Sequence, residues 1–164
     1  MRGLIAVLEA EGLAGTAALT EALGIFDSTY DALRLFPAVS ETIAELSAIF
    51  RLGIISNAEG AYQREKIGVL GIARHFQTVV ISGEVGYRKP DPRIFHYALD
   101  VFGVRADEAL FVGDRLDVDI AGAKAAGMKA VWFNHWGGVI DRGGPQPDAI
   151  MTGFADLPRI LDSV

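Results

Sequence analysis

The stretch ALFVGDRLDVDIAGAKAAG, residues 109–127, decides the fold of this 164-residue chain. Its first four residues are apolar without alternation, as in a parallel strand that is buried on both faces. Gly113 and Asp114 follow directly, and residues 118–126 then have the apolar spacing of a helix that Gly127 ends. A strand, a polar turn and a helix in immediate succession predict a βα unit.

The same unit recurs on both sides of this stretch. Short apolar runs predict further strands at residues 51–55, 78–81, 130–133 and 148–151. Helical patterns occur at residues 16–23, 29–35, 40–49, 62–70, 92–102 and 155–161. Ser40 is the expected N-cap of the third of these helices, and Asp91, followed by Pro92, is that of the fifth. Repeated βα units predict an α/β fold with a doubly wound, mainly parallel sheet and helices on both faces.

Length and composition limit the class of protein. A chain of 164 residues that is 51% hydrophobic predicts one globular domain over residues 1–164. A net charge of −6, without a cluster of lysine or arginine, argues against nucleic-acid binding. The apolar runs are too short to cross a bilayer, and the absence of cysteine excludes disulfides and thiolate metal sites. We therefore expect a cytoplasmic protein that binds neither nucleic acid nor membrane.

Polar side chains collect where three of the predicted strands end. Ser56 and Asn57 follow the first strand, Lys89 follows the second after a connection, and Asp114 and Asp119 follow the third. Ligands of open α/β sheets bind beyond the carboxyl ends of the strands. Each residue alone has an ordinary structural explanation as a turn, a helix cap or a surface charge. Only the ordered set indicates a binding site.

This set has the chemistry that a phosphate ester requires. The Ser56 hydroxyl and the Asn57 amide can donate hydrogen bonds to phosphate oxygens, and Lys89 can offset their negative charge. Asp114 is a hard oxygen ligand that suits Mg²⁺, which proteins usually hold with one or two carboxylates and waters. Asp119 is expected to orient either a metal-bound water or the lysine.

Three runs of sequence resemble motifs of the haloacid dehalogenase superfamily, in the family's order. LGIISN at residues 52–57 resembles the second motif, ISGEVGYRKPDPRIF at residues 81–95 the third, and VGDRLDVDIAGA at residues 112–123 the fourth. The similarity extends from about residue 36 to residue 161. A response-regulator receiver domain uses similar groups, but its acidic pair comes first and its lysine last, so that alternative ranks below.

The resemblance implies a Rossmann-like core and a role for each residue. Ser56 and Asn57 would bind the transferring phosphoryl group, and Lys89 would stabilise both the nucleophile and the phosphate. Asp114 would bind Mg²⁺, with Asp119 supporting that site. The implied reaction is hydrolysis of a small phosphorylated metabolite through an aspartyl-phosphate. Some relatives instead displace halide from haloacids without a metal, and the acidic fourth motif favours the branch that uses one.

The chain departs from the family pattern at its first motif. Relatives open with a strand that ends in Asp-x-Asp, whose first aspartate attacks phosphorus and whose second acts as acid and base. No Asp-x-Asp precedes Ser56. In one explanation the sequence lacks the segment that carries the motif, and residues 13–35 are a remnant of the helical cap that many relatives insert there. In the other, residues 3–8 are the first strand and Glu9 and Glu11 are a degraded motif.

Strand pairing favours the second explanation. The first strand is central in the sheet of this family, and its loss would leave two edges unpaired. Residues 3–8 are the apolar run available upstream to fill that place. The alternative is a helix over residues 3–11, with the place filled differently or by a partner chain. Because glutamate is one methylene longer than aspartate, Glu9 and Glu11 are expected to serve catalysis poorly.

Three functional hypotheses remain open on the sequence. The first is a phosphatase-type hydrolase that uses Mg²⁺, with reduced or absent turnover. The second is a pseudoenzyme, a regulatory module that keeps a phosphate or Mg²⁺ site. The third is a structural protein that forms a homodimer through an unpaired sheet edge or the surface that a cap would cover.

Overall fold

A parallel sheet forms the centre of the fold. The computed structural model describes residues 33–164 and the backbone of Ile5–Ala6. The strands are β1 (Ile5–Ala6), β2 (Leu52–Ser56), β3 (Phe76–Ile81), β4 (Leu110–Gly113), β5 (Lys129–Phe133) and β6 (Ala149–Met151). β1, β4, β5 and β6 are hydrogen-bonded in that order, and β2 pairs with β3, with every pair parallel. Since β1 also lies beside β2, the described strands follow the order β3-β2-β1-β4-β5-β6.

The strand β1 occupies the central place that the sequence left in question. Ile5 lies opposite Phe111 and Ala6 opposite Val112 of β4. The prediction of a first strand at residues 3–8 is therefore confirmed at these two residues, and the alternative helix is wrong there. Glu9 and Glu11 lie outside the described residues.

Helices cover both faces of the sheet. They are α1 (Val39–Ser47), α2 (Gly60–Val69), α3 (Ser82–Val85), α4 (Pro92–Phe102), α5 (Ala121–Ala125) and α6 (Leu157–Leu161). One face carries α4 and α5 over a core that contains Phe95 and Phe111. The other face carries α1, α2 and α6 over Ile54 and Val112. The predicted doubly wound α/β class is thus confirmed.

The start of α1 corrects one prediction. Ser40 is not its N-cap, because the helix begins at Val39 and is preceded by Ala38 with a left-handed φ of 64°. The earlier start buries Val39, whose exposed fraction is 1%. The helix predicted at residues 29–35 is also wrong over its described part, residues 33–35, which are irregular. A proline at position 37 disfavours a helix that runs up to it. The remainder of the proposed cap remnant lies outside the described residues.

The helix α4 begins and ends where the sequence predicts. Its N-cap is Asp91, whose carboxylate accepts a hydrogen bond from the Arg93 N–H at 3.0 Å. The side chain of Arg93 also donates to this carboxylate, and together these bonds lower the pKa of Asp91 to about 2. Gly103 ends the helix with a φ of 61°. The cap at Asp91 therefore fixes where the segment that contains Lys89 ends and where α4 begins.

A turn of π-helix over Leu116–Ile120 precedes α5, where the sequence predicted a regular helix from residue 118. The N–H groups of Asp119 and Ile120 both donate to the carbonyl of Arg115, at 2.8 and 3.2 Å. The wider turn changes the direction in which Asp119 leaves the backbone. Such turns are rare and are often found at functional sites.

The carboxylate of Asp148 connects three elements near β6. Its Oδ2 accepts hydrogen bonds from the Ala130 N–H at 2.7 Å and from Lys124 Nζ at 2.8 Å. Partial burial raises the pKa of Asp148, but the hydrogen bonds from Lys124 and Ala130 outweigh this effect and lower the pKa overall. The charged form therefore stabilises the fold.

We expect Asp148→Asn to lower the free energy of unfolding by about 1–2 kcal/mol at pH 7, because the pair with Lys124 is partly exposed. The pKa of the folded form lies below the unfolded value of about 3.9, so the carboxylate contributes fully above about pH 5. That contribution is lost as the pH falls through the folded pKa. Urea unfolding of both proteins at a series of pH values measures the effect.

Asp141→Asn is the matched control, since Asp141 is an exposed loop carboxylate. It should leave the unfolding free energy unchanged at every pH. A difference between the wild type and Asp148→Asn that stays constant down to about pH 3 would contradict the stabilising role of the charge.

Candidate active site

Lys89 and Asp119 form a buried ion pair. Lys89 Nζ lies 2.8 Å from Asp119 Oδ1, and both side chains are 0% exposed. The ammonium also lies over the ring of Phe111 in β4, 5.4 Å from its centroid. Charges are buried at a cost of several kcal/mol per ion, so they are rarely found inside a protein without a partner. A lysine that follows β3 is thus joined to an aspartate that follows β4.

The backbone of Lys89 is held by the residue after Ser56. Asn57 Oδ1 accepts a hydrogen bond from Lys89 N at 2.8 Å, and Asn57 Nδ2 donates one to Lys89 O at 2.9 Å. Ser56 is the last residue of β2 and is 3% exposed. The structure thereby brings the end of the second motif into direct contact with the third.

The position of Asp119 depends on its close approach to β4. Its Oδ2 accepts a hydrogen bond from the Arg115 N–H at 3.1 Å. A Cβ atom added to Gly113 would lie 2.3 Å from Asp119 Cβ, which no side chain can tolerate. Gly113 is therefore required so that Asp119 can reach the lysine from the turn after β4.

Asp114 stands at the carboxyl end of β4. Its carbonyl accepts a hydrogen bond from Trp132 Nε1 at 2.8 Å, and Trp132 lies opposite Gly113 in β5. The backbone of Asp114 is thus anchored to the neighbouring strand. Its carboxylate is carried at the edge of the sheet where the sequence predicted a ligand for Mg²⁺.

Among the described residues, the Asp114 carboxylate is the group that the sequence analysis assigns to a divalent cation. Asp114 supplies a hard carboxylate oxygen, but residues 33–164 contain no group of three acidic, histidine or cysteine side chains that could hold a metal. Asp119 directs one oxygen to Lys89 and the other to the Arg115 N–H, so its contacts match its predicted role in orienting the lysine. Its part in metal binding stays a prediction. Glu9 and Glu11, the acidic residues that the sequence analysis assigns to the first motif, lie outside the described residues.

Sequence reasoning missed two residues that hold the site together. Ser82 Oγ accepts a hydrogen bond from the Ala58 N–H at 3.1 Å and so connects the loop after β2 to the first residue of α3. Trp132 anchors Asp114 from β5. Neither residue has a local signature, because each contact joins segments that are distant in the sequence.

We expect Lys89→Met to lower the free energy of unfolding by about 3–5 kcal/mol, because it leaves the buried Asp119 carboxylate without its ammonium partner. Adding Asp119→Asn removes that charge while keeping a group that can accept from Arg115 N–H. The double variant should therefore be more stable than Lys89→Met alone. Urea denaturation followed by circular dichroism measures the wild type, Lys89→Met, Asp119→Asn and the double variant. Losses of the two single variants that simply add in the double variant would show that the pair is not coupled.

Comparison with known proteins gives curated relatives named as phosphatases, and solved structures named as phosphatases or as dehalogenases. The N-acylneuraminate-9-phosphatase of Rattus norvegicus is 36% identical over 127 residues, which are 77% of this chain and 51% of that protein. The phosphoserine phosphatase of Thermus thermophilus is 44% identical over 106 residues, covering 62% of this chain and 43% of that protein. The crystal structure of a phosphatase from Thermococcus onnurineus matches with a TM-score of 0.75 and 34% identity, over 84% of this chain and 63% of that one.

The chain spans about half the length of the two relatives matched by sequence. The family model for haloacid dehalogenase-like hydrolases matches residues 19–133, a range that contains the strand ends with Ser56, Lys89 and Asp114. The resemblance drawn from three motifs is therefore confirmed: the chain belongs to the haloacid dehalogenase-like hydrolase family.

Proposed function

We propose that this chain is the phosphate-handling core of a phosphatase that hydrolyses small phosphomonoesters with the help of Mg²⁺. The observation that carries the proposal is the buried pair of Lys89 and Asp119, held at the carboxyl ends of the strands. A desolvated ammonium is a strong site for an anion, because the low dielectric around it increases its attraction to negative charge. The relatives named above are phosphatases, which supports the same reaction class.

Two side chains would act on the phosphoryl group. Ser56 Oγ, at the end of β2, would donate a hydrogen bond to a phosphate oxygen. Lys89 would offset the negative charge that develops as the ester bond breaks. Asp119 would hold the ammonium in place through the ion pair at 2.8 Å.

The cation would be held by Asp114, together with acidic groups from the first motif. When bound, Mg²⁺ supplies positive charge to the phosphate oxygens. Asp114 is suited to the role because its backbone is anchored by Trp132 at the edge of the sheet. Asp119 would act on this site indirectly, through the lysine.

The first motif sets how fast the chain can turn over. By position in the resemblance, Glu9 would attack phosphorus and Glu11 would protonate the leaving oxygen. Each carboxylate is carried on one more methylene than the family's aspartate, and a misplacement of about 1 Å can cost ~100-fold in rate. We therefore propose a weak enzyme.

The glutamates also favour a second candidate function. A chain that has Ser56, Lys89 and Asp114, with Glu9 and Glu11 where the family has aspartates, would still bind phosphate or Mg²⁺. In that case the protein would be a regulatory module. The ligand is the same in both proposals, and turnover distinguishes them.

The proposed setting is a cytoplasmic protein that acts on small phosphorylated metabolites, with homodimer formation as an open alternative. Among residues 33–164, the helices are too short or too polar to cross a bilayer. The net charge of −6 also disfavours a nucleic-acid partner.

We expect slow hydrolysis of p-nitrophenyl phosphate that requires Mg²⁺ and falls by about 100-fold or more in Asp114→Ala. Asp117→Ala is the matched control, since Asp117 is exposed and pairs with Arg115 on the surface. It should leave the rate unchanged. A wild-type rate no higher than that of Asp114→Ala would rule out the proposal of an enzyme. Calorimetric titration with phosphate would then decide whether the protein is a phosphate-binding module.

Shortening the first acid should increase turnover. We expect Glu9→Asp to raise kcat by about 10- to 100-fold, because the carboxylate would return to the position that the family's backbone fits. Glu9→Gln should abolish turnover. Steady-state assays with the same substrate measure both variants, and equal rates for the wild type, Glu9→Asp and Glu9→Gln would show that Glu9 is not the nucleophile.

A further inference from the structure

We propose that Asn57 is a positioning residue that acts through Lys89, in place of the direct phosphate ligand that the sequence predicts. This inference rests on the proposed function, because it concerns how the phosphate site is held. The observation behind it is the reciprocal pair of hydrogen bonds between the Asn57 side chain and the backbone of Lys89.

The orientation of the Asn57 amide is fixed by these bonds. Its Oδ1 faces an N–H group at 2.8 Å and its Nδ2 faces a carbonyl at 2.9 Å. Turning the amide over would place donor against donor and acceptor against acceptor. Asparagine thus fits both polar groups of one residue, which alanine, serine or leucine cannot do.

The two hydrogen bonds between the Asn57 side chain and the Lys89 backbone form a clamp. This clamp holds a segment that has little regular structure of its own. Lys89 lies between α3 and α4, and a backbone hydrogen bond from Asp91 N–H to Arg88 O lies within this segment itself. Asn57 attaches it to the end of β2. The lysine is therefore held at two points, its backbone by Asn57 and its ammonium by Asp119.

Holding the lysine at both ends matters because its side chain is long. A lysine side chain has a flexible four-carbon stem with many rotamers, so its ammonium is placed accurately only where the backbone and the tip are both restrained. Asn57 also follows Ser56 directly in the chain. The clamp therefore fixes the distance between the serine that binds the phosphate and the lysine that neutralises it.

A double-mutant cycle in phosphate binding and turnover separates positioning from direct contact. We expect Asn57→Ala to weaken binding of inorganic phosphate and to lower kcat/KM on p-nitrophenyl phosphate, each by about 10- to 100-fold. In the Lys89→Met background the same substitution should change both by less than about twofold, because the residue through which Asn57 acts is gone. Equal losses in both backgrounds would show that Asn57 touches the phosphate itself and would overturn the proposal.

A second measurement does not depend on activity. The rate of acetylation of Lys89 by acetic anhydride, read by mass spectrometry, reports how often the buried ammonium is exposed. In Asn57→Ala this rate should rise by about 10-fold or more, while that of the exposed Lys129 stays constant. An unchanged rate at Lys89 would overturn the clamp, whatever the assays show.

Asn134→Ala is the matched control. Asn134 makes an equivalent reciprocal pair of hydrogen bonds with Gly138, at 2.7 and 2.9 Å, in the loop after β5. Its removal should leave the acetylation of Lys89 as in the wild type, and an increase equal to that in Asn57→Ala would count against a specific clamp. If the wild type neither binds nor hydrolyses phosphate, the proposed function fails, and the acetylation rates still decide the positioning of Lys89.

Discussion

The structure depends on keeping one ammonium and one carboxylate together, out of water. Lys89 and Asp119 come from segments after different strands, so the pair forms only when β3 and β4 are in their places in the sheet. A buried ion pair of this kind adds little net stability, because desolvation offsets most of the attraction. The proposed function would account for this desolvation cost, because it requires a positive charge at this place to bind an anion. Fold and site are therefore specified by the same contact.

Much of the fold follows from sequence pattern because parallel strands covered on both faces are simple to recognise. The strand β4 is an uninterrupted apolar run followed by glycine, and α4 has both an aspartate cap and a first-turn proline, so each was predicted within one residue. The N-cap of α1 was predicted wrongly, since the burial of Val39 favoured a left-handed Ala38 over a serine cap. Tertiary packing decided against the local signal there.

The sequence suggested which residues belong to the candidate site, but it did not predict the contacts between them. The residue types and their order led to the prediction of Ser56, Lys89 and Asp114, because phosphate chemistry restricts which groups can serve, and their roles stay predictions. The contacts that place them could not be read in the same way. The π-turn that aims Asp119 and the indole of Trp132 that anchors Asp114 both depend on chain segments brought together only by folding.

Two glycines show how closely the core and the site are joined. A Cβ atom at Gly113 would meet Asp119, and one at Gly122 would lie 2.9 Å from the carbonyl of Pro90 and 2.5 Å from the ring of Phe95. One glycine therefore clears the approach of the carboxylate, and the other lets α5 pack against the segment next to the lysine. Both close approaches lie in the packing around the buried pair. A side chain at either glycine would clash with these neighbours and would disturb the positions of the aspartate and of the segment next to the lysine.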